Sequence, residues 1–152
     1  VERWVRGGCG EAGRRRGGEA GGPGAMLGAK GEGELCGCVG ASVGAPVKNV
    51  AGETTRAEFS DLAAACRVYL TNDSGAMHIA SALGVPTVAV FGATDDQTTG
   101  PTGPLAKVVR EVVECSPCLK RECPIDHRCM TRVSAARVAD TALELLERDL
   151  LK

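Results

Sequence analysis

Val68–Gly92 reads VYLTNDSGAMHIASALGVPTVAVFG, and its punctuation sets the fold. Val68-Tyr69-Leu70 is a short β-branched and apolar run that predicts a strand. Four small polar residues, Thr71 to Ser74, then turn the chain. Asp73 or Ser74 can cap a following helix whose apolar side carries Met77, Ala80 and Leu83. Gly84 stops that helix, and Pro86 follows, as expected beyond a helix C-terminus. Thr87–Phe91 is an uninterrupted apolar run, the pattern of a central parallel strand buried on both faces. Strand, helix and strand in this order place the Thr71–Ser74 turn at the carboxyl edge of a parallel sheet, where open α/β folds bind ligands.

The residue types in that turn suit an anion. Main-chain N–H groups at a helix start, with the helix dipole behind them, favour a phosphate or pyrophosphate. Gly75 lets a ligand approach the backbone, and Ser74 offers a hydroxyl. His78 lies four residues beyond Ser74, so both project from one side of the helix. The imidazole can donate a hydrogen bond, or add charge near a leaving group when protonated. Asp73 would repel a pyrophosphate, so its roles are helix capping or accepting hydrogen bonds from sugar hydroxyls. The competing reading of the same pattern is a well-capped helix start with a packed imidazole.

Working outward, Pro46–Val50 predicts a buried strand, and Thr55 with Glu58 predicts a capping box. Phe59, Leu62, Ala63 and Cys66 recur at helical spacing, so the expected helix is Arg56–Cys66. Gly92–Pro104 reads as a loop, Lys107–Val113 as a strand, and Cys115–Met130 as irregular. Ser134 caps a last helix carrying Val138, Leu143, Leu145 and Leu146. Alternating strands and helices give an α/β class: a partial Rossmann-like domain with a parallel sheet covered on both faces, lacking its first βα units. Residues 45–152 form that domain. Val1–Gly44 holds 15 of the 21 glycines, so it is expected to stay disordered or to be out-of-frame translation, and no function is assigned to it. The Val1 start suggests a truncated product.

Composition narrows the function classes. The 152 residues carry 18 Lys+Arg against 19 Asp+Glu, a net charge of −1, which gives no polyanion-binding character. Trp4, Phe59, Tyr69 and Phe91 are the only aromatic residues, too few and too scattered for a base-stacking platform. No apolar run approaches the roughly 20 residues of a membrane-spanning helix.

Eight cysteines is a high count for this length. Cys115, Cys118, Cys123 and Cys129 fall within one short loop that also holds His127. Three readings stay open: free loop thiols, a structural zinc or iron–sulfur site, and two disulfides. A non-enzymatic zinc- or iron–sulfur-binding module built on these four residues is the rival to any enzymatic function.

Three motifs in order carry a family resemblance: GAPVKNVAGETTRAEFSDLAAACRVYLTNDSG, then TNDSGAMHIASALGVPTVAVFGATD with TGPTG, then CSPCLKRECPIDHRCM. Together they resemble glycosyltransferase family nine from about Gly44 to the last helix. Ala76, Ala93 and Asp96 stand where such sequences usually have proline. The resemblance implies the C-terminal half of a GT-B glycosyltransferase, holding ADP-heptose. The implied reaction is an inverting transfer of heptose to an inner-core heptose of lipopolysaccharide, in the cytoplasm, with peripheral contact at the inner membrane. By the resemblance, Thr71, Asp73, Ser74, Gly75 and His78 meet the donor pyrophosphate and sugar. Gly52, Glu53, Thr54 and Thr55 match a loop near the nucleoside, although turn and capping chemistry also explains them. Thr94 and Asp95 match a loop beside the donor sugar, or are simply a turn after a strand. The general base is expected in the other domain, so this piece alone should show negligible turnover, and no catalytic metal is expected. The cysteine cluster is not the family's catalytic motif.

Overall fold

The computed structural model describes residues 23–150. Residues 1–22, half of the segment expected to be disordered or out of frame, lie outside the described residues. Five strands and six helices follow in chain order: β1 (Gly24–Met26), α1 (Gly33–Val43), β2 (Val47–Asn49), α2 (Arg56–Ala64), β3 (Tyr69–Asn72), α3 (Gly75–Ala82), β4 (Thr87–Val90), α4 (Asp96–Thr99), β5 (Ala106–Val109), α5 (Arg128–Thr131) and α6 (Ala135–Leu150). A 3₁₀ turn at Lys30–Glu32 precedes α1.

The strands form two parallel sheets, β1-β2 and β3-β4-β5. Tyr69 pairs with Thr87, and Thr87 with Ala106. All strand carboxyl ends within each sheet therefore point the same way.

The central strand explains the layering. Val88 and Val90 face Val138, Ala139, Ala142, Leu145 and Leu146 of α6 in one core. Ala89 and Phe91 face Met77 of α3 on the other side. A period of two with both faces apolar is what a strand covered twice requires. A third cluster joins Ala63 of α2, Tyr69, Ala80 and Val85, with Leu27 and Phe59 against its edge. Phe59 and Tyr69 meet edge to face with centroids 6.4 Å apart.

The helix starts follow their caps. In α2, Glu58 N–H donates to Thr55 Oγ1 at 3.3 Å and Thr55 N–H to Glu58 Oε2 at 2.7 Å. This reciprocal box draws the Glu58 carboxyl below its ordinary value. Ser134 Oγ accepts from Arg137 N–H at 3.2 Å to start α6.

The boundary expected at residue 44 is corrected. Gly24–Met26 pairs in parallel with Val47–Asn49, and Gly33–Val43 is a helix between them. A β–α–β unit therefore stands in front of β3, where the first βα units were expected to be lost. The physical reason lies in the glycines. Val39 and Val43, four apart, are buried, and Gly40 faces Val47. Gly44 ends it at φ 69°, in the left-handed region that glycine adopts without strain. Glycine lowers helix propensity by about 1 kcal/mol per residue, but close packing outweighs it.

Smaller differences concern ends. The helix expected to reach Cys66 stops at Ala64. The strand expected over Lys107–Val113 is Ala106–Val109. The Gly92–Pro104 loop contains the single turn α4. Among the described residues, no helix is long and apolar enough to cross a membrane.

Candidate functional site

β3 and β4 lie side by side, so their carboxyl ends bring two turns together. Ser74 is the N-cap of α3: its extended backbone (φ −145°) lets Oγ accept from Met77 N–H at 3.4 Å. Thr71 Oγ1 lies 3.2 Å from Ser74 Oγ and donates to Asn72 O at 2.9 Å. Of the two residues expected to cap α3, Ser74 does so and Asp73 does not. Instead Thr94 Oγ1 donates to Asp73 Oδ2. Two segments that the sequence separates by 21 residues thus meet at one hydrogen bond.

The mouth of α3 is open. Ser74, Gly75 and His78 are exposed, and no heavy atom lies within 4 Å of where a Gly75 Cβ would sit. Helix geometry gives the N–H groups of Gly75 and Ala76 no intrahelical acceptor. They point along the helix axis out of the same end. This is an open, positively polarised helix end beside a carboxylate that has already been given a partner.

Asp95 is placed differently from Asp73. Its carboxylate accepts from Gln97 N–H at 3.0 Å, and its carbonyl takes the hydroxyls of Thr98 (3.1 Å) and Thr99 (2.9 Å). The turn chemistry weighed for Asp95 therefore accounts for its contacts, whereas Thr94 faces Asp73. The third segment, Gly52–Thr55, follows β2 and lies against the loop after β1. Gly52 N–H donates to Gly28 O at 2.9 Å. Thr55 is engaged in the α2 box, and the side chains of Glu53 and Thr54 make no hydrogen bond among the described residues.

Sequence reasoning missed three residues at this edge. Arg110 follows β5 and forms an ion pair with Asp96, the first residue of α4. Its second terminal nitrogen lies 3.5 Å from Ser116 Oγ, which donates to Gly92 O at 2.5 Å. The signal available was a charged residue at the carboxyl end of a β-branched strand. As a result, the three carboxylates of this edge, Asp73, Asp95 and Asp96, each have a local donor.

Three readings were open for the four loop cysteines: free thiols, a structural metal site and two disulfides. Among the described residues Cys115, Cys118, Cys123 and Cys129 are free thiols, and no group of three or more His, Cys, Asp or Glu side chains could hold a metal ion. Cys115 faces solvent. Cys118 is anchored by its N–H to Ala93 O at 3.0 Å. Cys123 Sγ accepts from His127 N–H at 3.3 Å. Cys129 is buried, with its Sγ 3.3 Å from where a Gly92 Cβ would be. Burial, with the other three thiols as lesser contributors, pushes the Cys129 thiol up. What the segment does is pin itself to the turn after β4, since Leu119 N–H also donates to Ala93 O, at 2.8 Å.

Comparison with known proteins places this geometry. Lipooligosaccharide heptosyltransferase 2 of Campylobacter jejuni is 37% identical over 103 residues, which is 66% of this chain and 32% of that protein. Lipopolysaccharide heptosyltransferase 2 of Escherichia coli is 44% identical over 63 residues, 41% of this chain and 18% of that protein. The chain thus spans a third or less of the curated relatives it matches. The structure of E. coli ADP-heptose lps heptosyltransferase II superposes with a TM-score of 0.81 at 26% identity, covering 98% of this chain and 43% of that one. A glycosyl transferase family 9 structure from Veillonella parvula shares the fold, with a TM-score of 0.77 at 22% identity over 91% of this chain and 40% of that one. The family model for glycosyltransferase family 9 (heptosyltransferase) matches residues 28–128, beginning within the β1–α1–β2 unit, and the chain therefore belongs to glycosyltransferase family 9.

Proposed function

We propose that this chain is the C-terminal, nucleotide-sugar-holding part of a heptosyltransferase of lipopolysaccharide core synthesis. The donor is ADP-heptose, and the acceptor is an inner-core heptose. The observation that carries the reading is the open N-terminus of α3 beside the Asp73–Thr94 pair, at the carboxyl edge of a parallel sheet.

In this reading, the amides of Gly75 and Ala76 and the Ser74 hydroxyl hold the diphosphate. The acceptor hydroxyl, giving its proton to the general base, attacks the anomeric carbon from the face opposite ADP as the anomeric C–O bond to ADP breaks, so the anomeric configuration inverts. Negative charge grows on the departing diphosphate, and preorganised N–H dipoles stabilise it without reorganising. His78, four residues along α3, donates a hydrogen bond to the same group. Asp73, fixed by Thr94, accepts from sugar hydroxyls and is kept off the phosphates. Glu53 and Thr54 face the nucleoside. The helix terminus supplies the stabilisation that a metal ion provides elsewhere, so transfer needs no catalytic metal. The acceptor wall and the general base belong to the other half of the GT-B cleft. The reaction takes place in the cytoplasm, at the inner face of the inner membrane.

Calorimetric titration of the chain with ADP and ADP-heptose tests this. Binding that weakens in Ser74→Ala and His78→Ala is expected. Unchanged binding in both variants removes α3 from the donor site.

A further inference from the structure

We propose that Arg110 is a positioning residue for the sugar-facing turn: it fixes α4 and the residues before it so that the Thr94 hydroxyl stays on Asp73. This deepens the donor-site reading above and rests on it.

The α4 side of the turn cannot hold itself. α4 has four residues, one helical turn, and an isolated turn is unstable because nucleation costs more than its few hydrogen bonds return. The bonds made by Asp95 to Gln97, Thr98 and Thr99 are all internal to the turn, so they shape it without attaching it to the sheet. The N–H groups of Cys118 and Leu119 hold Ala93 O at the start of the turn, and on the α4 side attachment comes from Arg110. One guanidinium nitrogen pairs with Asp96, and the other reaches toward Ser116 Oγ, whose proton goes to Gly92 O. Gly92 and Asp96 bracket Thr94 on both sides. One planar side chain, mounted on the residue after β5, thus links to both ends of the segment that presents Thr94.

The chemistry of that side chain matters. The Arg110 and Asp96 side chains are 23% and 14% exposed, so solvent and salt screen the pair less than a surface pair. A guanidinium reaches two acceptors in fixed directions, whereas an ammonium is a single point charge on a flexible stem. Lysine at this position would keep the charge beside Asp96 and lose the arm toward Ser116. With the turn loosened, the Asp73 carboxylate loses its fixed donor and no longer holds its oxygens toward the sugar hydroxyls. The sugar-dependent part of donor affinity should then suffer more than the nucleotide part.

The test is calorimetric titration of the chain with ADP and with ADP-heptose. The variants are Arg110→Gln, Arg110→Lys, Asp96→Asn and the Arg110→Gln/Asp96→Asn double. The expected result is an ADP-heptose affinity reduced by about fivefold to tenfold in Arg110→Gln and Asp96→Asn, with ADP affinity held within about twofold. The double variant should be no weaker than either single one, and Arg110→Lys should fall between the unsubstituted chain and Arg110→Gln. Equal losses for ADP and ADP-heptose would show a general structural role and overturn the proposal, as would unchanged ADP-heptose affinity in every variant. If Arg110→Gln does not fold, the near-isosteric Asp96→Asn carries the same comparison. An unsubstituted chain that binds neither ligand would refute the donor-site reading itself, and this inference with it.

Discussion

Thr94 gives its hydroxyl proton to the Asp73 carboxylate, so the turn after β4 is fastened to the turn after β3. Each residue leads out of its own strand, and the two strands are hydrogen-bonded neighbours. The pair therefore needs no long-range contrivance: parallel pairing delivers both residues to one edge. Hydrogen bonds to charged groups contribute more than neutral ones, and both residues here are half-buried.

A double-mutant cycle reads that bond directly. Thr94→Val removes the donor at nearly constant volume, and Asp73→Asn removes the charge. Urea unfolding of the two single variants and the double should give a coupling of about 1 kcal/mol. Additive losses would mean that the two side chains act independently.

Gly75→Ala separates folding from binding. A Cβ there meets nothing within 4 Å, and alanine in a helix is favoured over glycine by about 0.5–1 kcal/mol. Stability should stay level or rise by up to that amount. If the α3 mouth holds a diphosphate, the added methyl intrudes on it, and ADP affinity should fall about tenfold, or about 1.4 kcal/mol. Thermal unfolding and calorimetry on the same preparation check both halves. Equal ADP affinity in the two chains would place the diphosphate elsewhere.

Much of this edge was legible in the sequence because its signals are local. The Thr55–Glu58 box, the Ser74 cap and the Thr87–Phe91 run each depend on a few adjacent residues. What was not legible depends on tertiary approach. Glycine content argued against α1, yet Val39 and Val43 are buried on it. Arg110, Asp96 and Ser116 carry no motif, and only the pairing of β4 with β5 brings them together. The four loop cysteines look like a ligand set in one dimension. In three dimensions, Cys129 is taken into the core and Cys118 is tied to Ala93. The candidate residues themselves divided in the same way. Asp73 and Thr94 meet across the β3–β4 pair, while the contacts of Asp95, Gly52 and Thr55 are those of a turn, of packing and of capping.

Gly52 illustrates the last point. Its φ is +75°, and a Cβ would lie 2.6 Å from Lys30 Cα, a main-chain atom that cannot swing aside. Gly52→Ala should cost about 2 kcal/mol or more, combining left-handed strain with the clash. Gly31→Ala, where nothing lies within 4 Å, is the matched control and should stay within about 0.5 kcal/mol. Chemical denaturation of both variants measures the difference. A Gly52→Ala chain as stable as the control would show that the β1 and β2 loops are not packed together as described.

Tyr69 provides a pH probe of the layer between α2 and α3. It is the one tyrosine in the chain, so phenolate absorbance reports a single group. Burial in the cluster with Ala63, Ala80 and Val85, and to a lesser degree the neighbouring Cys66, pushes its hydroxyl up to about 12. The unfolded chain should titrate near the ordinary value of about 10. The folded-state value is the higher of the two, so the protonated phenol favours folding. That contribution is complete below the unfolded value and is lost as pH rises from there through the folded one. Phenolate absorbance should therefore appear about two pH units later in the folded chain than in urea, either gradually or in one step as alkali unfolds the domain. Phe59→Ala opens the edge-to-face contact and should move the folded titration back toward the unfolded value. A folded chain whose tyrosine ionises at the urea value would show that the α2–β3–α3 layer is open to water.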